Sequence, residues 1–128
     1  MTTHKTPTWI GRILSGLVIA FLALDAVMKL LSRPEVLEAH AQLGLPLELA
    51  PLFGAVLALC VVLYAMPRTA PIGAVLLTGY LGGAILVHAR LGDPLLTHTL
   101  APLYFGAAIW LGLYLRDPRV QALLAPRR

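Results

Sequence analysis

Four apolar runs, each closed by proline or by charge, constrain this 128-residue chain more than any other feature. They cover about residues 9–31, 49–65, 72–91 and 99–115. As a helix, the roughly 22 residues of the first run rise about 33 Å, enough to cross a hydrocarbon core of about 30 Å, while the other three are on the short side, so their tilt is expected to be modest. Hydrophobic residues make up 59% of the chain and charged residues 12%, against roughly 45–50% and 25% in soluble domains. The mean hydropathy is +0.82. A soluble protein of this size has no interior able to take so much apolar surface, so the bilayer is the expected solvent. The expectation is an all-α membrane protein forming one domain over 1–128, an up-down bundle of four transmembrane helices.

Along the chain, the punctuation agrees with that reading. The first run is too long for a secretory signal, carries Asp25 and Lys29, and lacks a small-residue cleavage site. Trp9 suits an interface. Arg33-Pro34 stops the first helix. Residues 35–43 read as a short interfacial helix before the turn Leu43 to Pro46. Pro51 and Pro102 stand in the first turns of the second and fourth spans, where a missing N–H costs little. Met66 to Pro71 is a tight link that makes spans two and three antiparallel neighbours. Gly92-Asp93-Pro94 ends the third span. Arg116 to Arg119 ends the fourth, ahead of a short amphipathic piece from Arg119 to Leu124.

An even number of spans places both termini on one side. That side carries Lys5, Arg12, Arg68, Arg116, Arg119, Arg127 and Arg128 against Asp117. The other carries Lys29, Arg33 and Arg90 against Asp25, Glu35, Glu38, Glu48 and Asp93. Excess Lys and Arg marks the cytoplasmic side, so both termini are expected there. The net charge of +4 is therefore topological. No basic face with interleaved aromatics suggests nucleic acid.

The chemistry-bearing residues gather at the outward end. Asp25, Lys29 and Ser32 share one face of the first helix at i, i+4 and i+7. Ionisable groups inside a membrane cost about 2.5–3.5 kcal/mol each on insertion scales and tend to face the bundle interior. Tyr80, Ala84 and His88 form a stripe on the third helix, which ends in Arg90 and Asp93. Glu48 and His98 approach the same layer from the second and fourth spans. These residues are the expected polar cluster, fed by all four helices. Gly79 and Gly83, with Gly82 beside them, form a small-residue face suited to close helix approach. No catalytic residue is assigned: there is no Ser-His-Asp set, no phosphate loop and no H-E-x-x-H. The spacing of His40, His88 and His98 matches no metal site. Cys60 is the single cysteine and reads as a small buried apolar side chain.

Taken together, LGLP (Leu43 to Pro46), Pro67-Arg68, TGYLGGA (Thr78 to Ala84), HARLGDP (His88 to Pro94) and WLGLYLRDPR (Trp110 to Arg119) resemble the DoxX-like membrane proteins in order and spacing. The resemblance spans most of the chain. It implies a four-helix, multi-pass protein of the bacterial inner membrane. The founding member is a subunit of a thiosulfate:quinone oxidoreductase, and a eukaryotic branch of similar fold acts as an assembly chaperone for nicotinic acetylcholine receptors. Lys29 and His88 stand at what look like the family's recurring polar positions. Many relatives carry a glutamate early in the second helix, where Leu57 stands here, so the resemblance does not extend to a mechanism requiring that acid.

Two readings compete. One is a non-catalytic accessory protein that binds a membrane-protein partner, a second copy or a lipid-like molecule through the glycine face and the polar pocket, with no cofactor. The other is a redox subunit holding a quinone between His88 and Asp25 or Lys29, with electrons supplied by a partner. A small proton-coupled transporter is a weaker third, since one four-helix chain is small for that work. The accessory reading predicts that Gly79→Leu or Gly83→Leu abolishes association while His88→Ala is mild. The redox reading predicts severe loss of function in His88→Ala and Asp25→Asn, and quinone in the purified protein. Complementation assays with quinone extraction separate the two.

Overall fold

The computed structural model describes residues 5–92 and 94–125, without the side chains of Lys5, Thr6, Leu95 and His98. Asp93, Arg127 and Arg128 lie outside the described residues. Among the described residues every regular element is helical. The order is α1 (Lys5–Leu30), α2 (Pro34–Leu43), a 3₁₀ turn (Leu47–Leu49), α3 (Ala50–Ala65), α4 (Ala70–Arg90), a π turn (Leu95–Thr99), α5 (Ala101–Arg116) and α6 (Pro118–Leu124). Three stretches are long and apolar enough to cross a membrane: Pro7–Leu30, Leu47–Ala65 and Ala70–Arg90. The expected fourth span is a helix of 16 residues, about 24 Å long.

Local chemistry sets the helix ends. α1 stops in a left-handed cap at Ser32 (φ 48), with Ser32 N–H donating to Lys29 O and Arg33 N–H to Met28 O. Ser32 is therefore a cap and not, as its spacing suggests, part of the Asp25–Lys29 face. Gly44 (φ 71) caps α2 the same way. Pro residues begin α2, α3, α4, α5 and α6, where no N–H is needed.

α1 packs against α3 and α5, and α4 packs against the same two helices, closing a ring. The core holds Leu22, Leu57, Tyr64, Leu77, Ile109 and Leu113. Much of the outer surface is just as apolar: Leu17, Phe21, Leu24, Leu59, Val75 and Leu86 are all exposed. Helices apolar all round are those of a membrane protein.

Glycines let backbones touch at three places. A methyl group on Gly54 would come within 2.7 Å of Leu30 N, and one on Gly11 within 2.8 Å of Gly112 O. At Gly73 it would collide with the backbone of Leu63 and Tyr64. Around these contacts runs a buried polar chain. Arg116 Nε donates to Ser15 Oγ (2.9 Å), which lies 3.1 Å from Tyr64 Oη. Tyr64 Oη in turn donates to Ile109 O (2.6 Å). Arg116 Nη2 also donates to Tyr64 O (3.1 Å). Thus α1, α3 and α5 are bonded together at the end where both α1 begins and α5 stops. Nearby, Asp117 caps α6 and pairs with Arg119 at 2.8 Å. The hydrogen bonds from Arg119 hold its carboxyl below the usual range. Arg119 also donates to Pro67 O and Arg68 O, tying α6 to the α3–α4 link.

Gly73→Ala is expected to lower the thermal midpoint of the detergent-solubilised protein, at an overpacking cost of about 1–3 kcal/mol. Gly83→Ala is expected to leave it unchanged or raise it, since a methyl there meets nothing within 4 Å and Ala is the better helix former. Equal losses at both positions would contradict this packing.

Candidate functional site

At the other end of the ring the packing opens. A cavity of about 720 Å³ is lined from α1 by Asp25, Met28 and Lys29, and from α4 by Gly79, Tyr80, Gly83, Ala84, Val87 and His88. α2 adds Val36, His40 and Leu43, and the start of α3 adds Leu52, Phe53 and Val56. Most of this wall is apolar, with Asp25, Lys29, Glu35, His40, Tyr80 and His88 as its polar groups, the usual composition of a small-molecule site.

Lys29 joins two of these polar residues. Its Nζ donates to Asp25 Oδ2 (2.8 Å), one turn earlier on α1, and to Tyr80 Oη (2.8 Å) on α4. The ammonium also stands 5.3 Å from the centre of the Tyr80 ring. The pair is only partly covered, with the side chains of Lys29 and Asp25 19% and 36% exposed. An ammonium has three N–H groups, so one remains beyond these two bonds. Tyr80 Oη accepts from Lys29, and no group among the described residues takes its own proton. Two donors thus converge at the cavity wall.

α2 roofs the site. Val36, His40 and Leu43 occur at i, i+4 and i+7, a spacing that turns them to one face. His40 is 3% exposed. Its Nδ1 lies 3.3 Å from Pro46 O and its ring 5.6 Å from that of Phe53. Arg90 Nη2 donates to Leu43 O (2.7 Å), fastening the end of α4 to the end of α2.

The residues 13–112 match the family model of the DoxX-like proteins. This chain belongs to the DoxX-like family. No curated protein and no solved structure matches it. The DoxX-like match takes in every cavity residue and leaves α6 outside. Family and apolar helices together make this a membrane protein.

Of the expected polar residues, this DoxX-like structure brings Asp25, Lys29, Tyr80 and His88 to one cavity. Glu48 is elsewhere: it is exposed in the 3₁₀ turn, and Ala50, not Glu48, turns inward at the start of α3. Arg90 is exposed and serves as a strut between helices, not as cavity lining. Asp93 and the His98 side chain lie outside the described residues. Among the described residues α5 contributes no lining residue, whereas α2 lines the cavity beside α1, α3 and α4. A methyl group on Gly79, Gly82 or Gly83 would meet nothing within 4 Å among the described residues. Gly79 and Gly83 instead form cavity wall. Sequence reasoning weighed His40 only as a metal ligand and missed Phe53 and Val56, although the Val36–His40–Leu43 spacing could have exposed the inner face of α2. Among the described residues, no three His, Cys, Asp or Glu side chains come together as a metal site.

Asp25→Asn leaves the ammonium of Lys29 without its counter-charge. Its thermal midpoint is expected to fall further than that of the double variant Asp25→Asn/Lys29→Met, where no charge is stranded. Melting curves of the three proteins in one detergent check this.

Proposed function

We propose that this DoxX-like chain is a non-catalytic accessory protein of the bacterial inner membrane, chaperone-like in that it holds a lipid-like molecule. The observation that carries the reading is the cavity itself: about 720 Å³ and mostly apolar, with Asp25, Lys29, Glu35, His40, Tyr80 and His88 as its polar lining. Such a space favours a molecule with a polar group and a hydrocarbon body. His88 adds one of the polar groups, and Gly79 and Gly83 keep the wall thin.

In the proposed topology four spans cross the bilayer, both termini lie in the cytoplasm and the cavity faces outward. The charge distribution supports it. Arg12, Arg68, Arg116 and Arg119 sit at one end of the ring, against Lys29, Arg33 and Arg90 towards the other. The π turn (Leu95–Thr99) also leads directly into α5 (Ala101–Arg116), so most of residues 95–116 are helical.

The convergence of Lys29 and Tyr80 donors favours a second reading, a quinone-binding subunit whose partner supplies electrons. Either donor suits a quinone carbonyl.

Native mass spectrometry of protein released gently from membranes tests both. A small molecule bound one to one is the expected result. Quinone absorbance in its extract would select the second reading. A protein that emerges empty, or carrying only another chain, would overturn ligand binding and leave the glycine face as a partner surface.

A further inference from the structure

The chemistry around Lys29 and Tyr80 restricts what the cavity can hold. The third N–H of Lys29 and the O–H of Tyr80 are both donors, on atoms 2.8 Å apart. One oxygen with two lone pairs, as in a carbonyl or hydroxyl, can accept from both. A charged head fits poorly. The charge on Lys29 is already matched by Asp25 at 2.8 Å, and Glu35 adds a second carboxylate to the wall. An anion would compete with Asp25 and face two carboxylates in a partly dehydrated site. A cation would face the ammonium.

The cavity's size and opening restrict the rest. At about 720 Å³ the cavity is within the range of small-molecule sites, about 300–1,000 Å³. That is room for a head group and the start of one chain. Leu52, Val56, Gly79 and Gly83 line the cavity and are also exposed, so the wall is open between α3 and α4. Gly79 lies near the middle of α4, 11 residues before Arg90, or about 16 Å along the helix. At that depth the opening faces hydrocarbon. α4 is pressed onto the backbone of α3 at Gly73, whereas methyl groups at Gly79 and Gly83 would meet open space.

We propose that the cavity takes an uncharged single-chain amphiphile. Its carbonyl or hydroxyl oxygen accepts hydrogen bonds from Lys29 Nζ and Tyr80 Oη, and its chain leaves for the bilayer between α3 and α4, past Gly79 and Gly83. The proposal rests on the ligand-binding reading above and specifies the ligand's charge, size and route.

The test uses the full chain in phosphatidylcholine nanodiscs with two probes of matched chain length, monooleoylglycerol and octadecyl sulfate. Monooleoylglycerol is expected to bind one to one and at least tenfold more tightly than the sulfate. Tyr80→Phe should weaken it about fivefold, the loss of one ordinary hydrogen bond. Gly83→Phe should block it. Gly82→Phe, one residue away and not part of the lining, should bind as the parent does. Sulfate binding as tight as monooleoylglycerol would overturn the uncharged head while leaving a ligand cavity in place. Binding of monooleoylglycerol indifferent to both Tyr80→Phe and Gly83→Phe would place it elsewhere and overturn the proposal. Failure of both probes would overturn the proposal. If the protein also leaves its native membrane empty, the ligand-binding reading falls with it.

Discussion

In hydrocarbon, helices gain little from burying one leucine against another, because lipid tails are equally apolar. Association depends instead on close backbone packing and on hydrogen bonds that cannot be exchanged for water. Here both are concentrated towards one end of the ring. Gly11 meets Gly112, Gly73 meets the backbone of Leu63 and Tyr64, and the Arg116–Ser15–Tyr64–Ile109 chain bonds three helices there. Tyr64 is fully buried, and its hydroxyl is satisfied only because Ile109 O and Ser15 Oγ stand where they do. The remaining geometry follows from this anchored end.

The opposite end is held differently. α1 and α3 remain in contact through Gly54, but the second half of α4 has glycines where a contact residue would stand. The resulting gap is not collapsed, because α2 folds back over it and is tied down by Arg90. A short amphipathic helix thus becomes a roof, and its buried His40 and Val36 complete a wall that α1, α3 and α4 leave unfinished. One closed end and one open end give the ring a natural division between scaffold and site.

Placing Lys29 inside the open end has a cost that the neighbouring groups offset. Asp25 supplies charge on the same helix, and Tyr80 supplies an acceptor and a ring face from across the ring. The three side chains also link α1 to α4, helices that otherwise meet mainly through α3 and α5. The same contacts that stabilise the ammonium leave one N–H of Lys29 and the O–H of Tyr80 without an acceptor among the described residues, so the proposed recognition would use atoms that also hold α1 to α4.

The sequence by itself determined the membrane setting, the helical class, the breaks between helices and the Asp25–Lys29 pair. Each depends on local chemistry: run length, proline position and the i, i+4 spacing on one helix. The Tyr80 partner, the roof formed by α2 and the absence of α5 from the cavity were decided only in three dimensions. They depend on how far helices stand apart, and no single segment encodes that distance. The glycines illustrate the limit most plainly. Gly73 and Gly79 look alike in the sequence, yet one is pressed against a neighbouring backbone and the other borders open space. The difference lies in the tilt and register of α3 against α4, a property of two helices together.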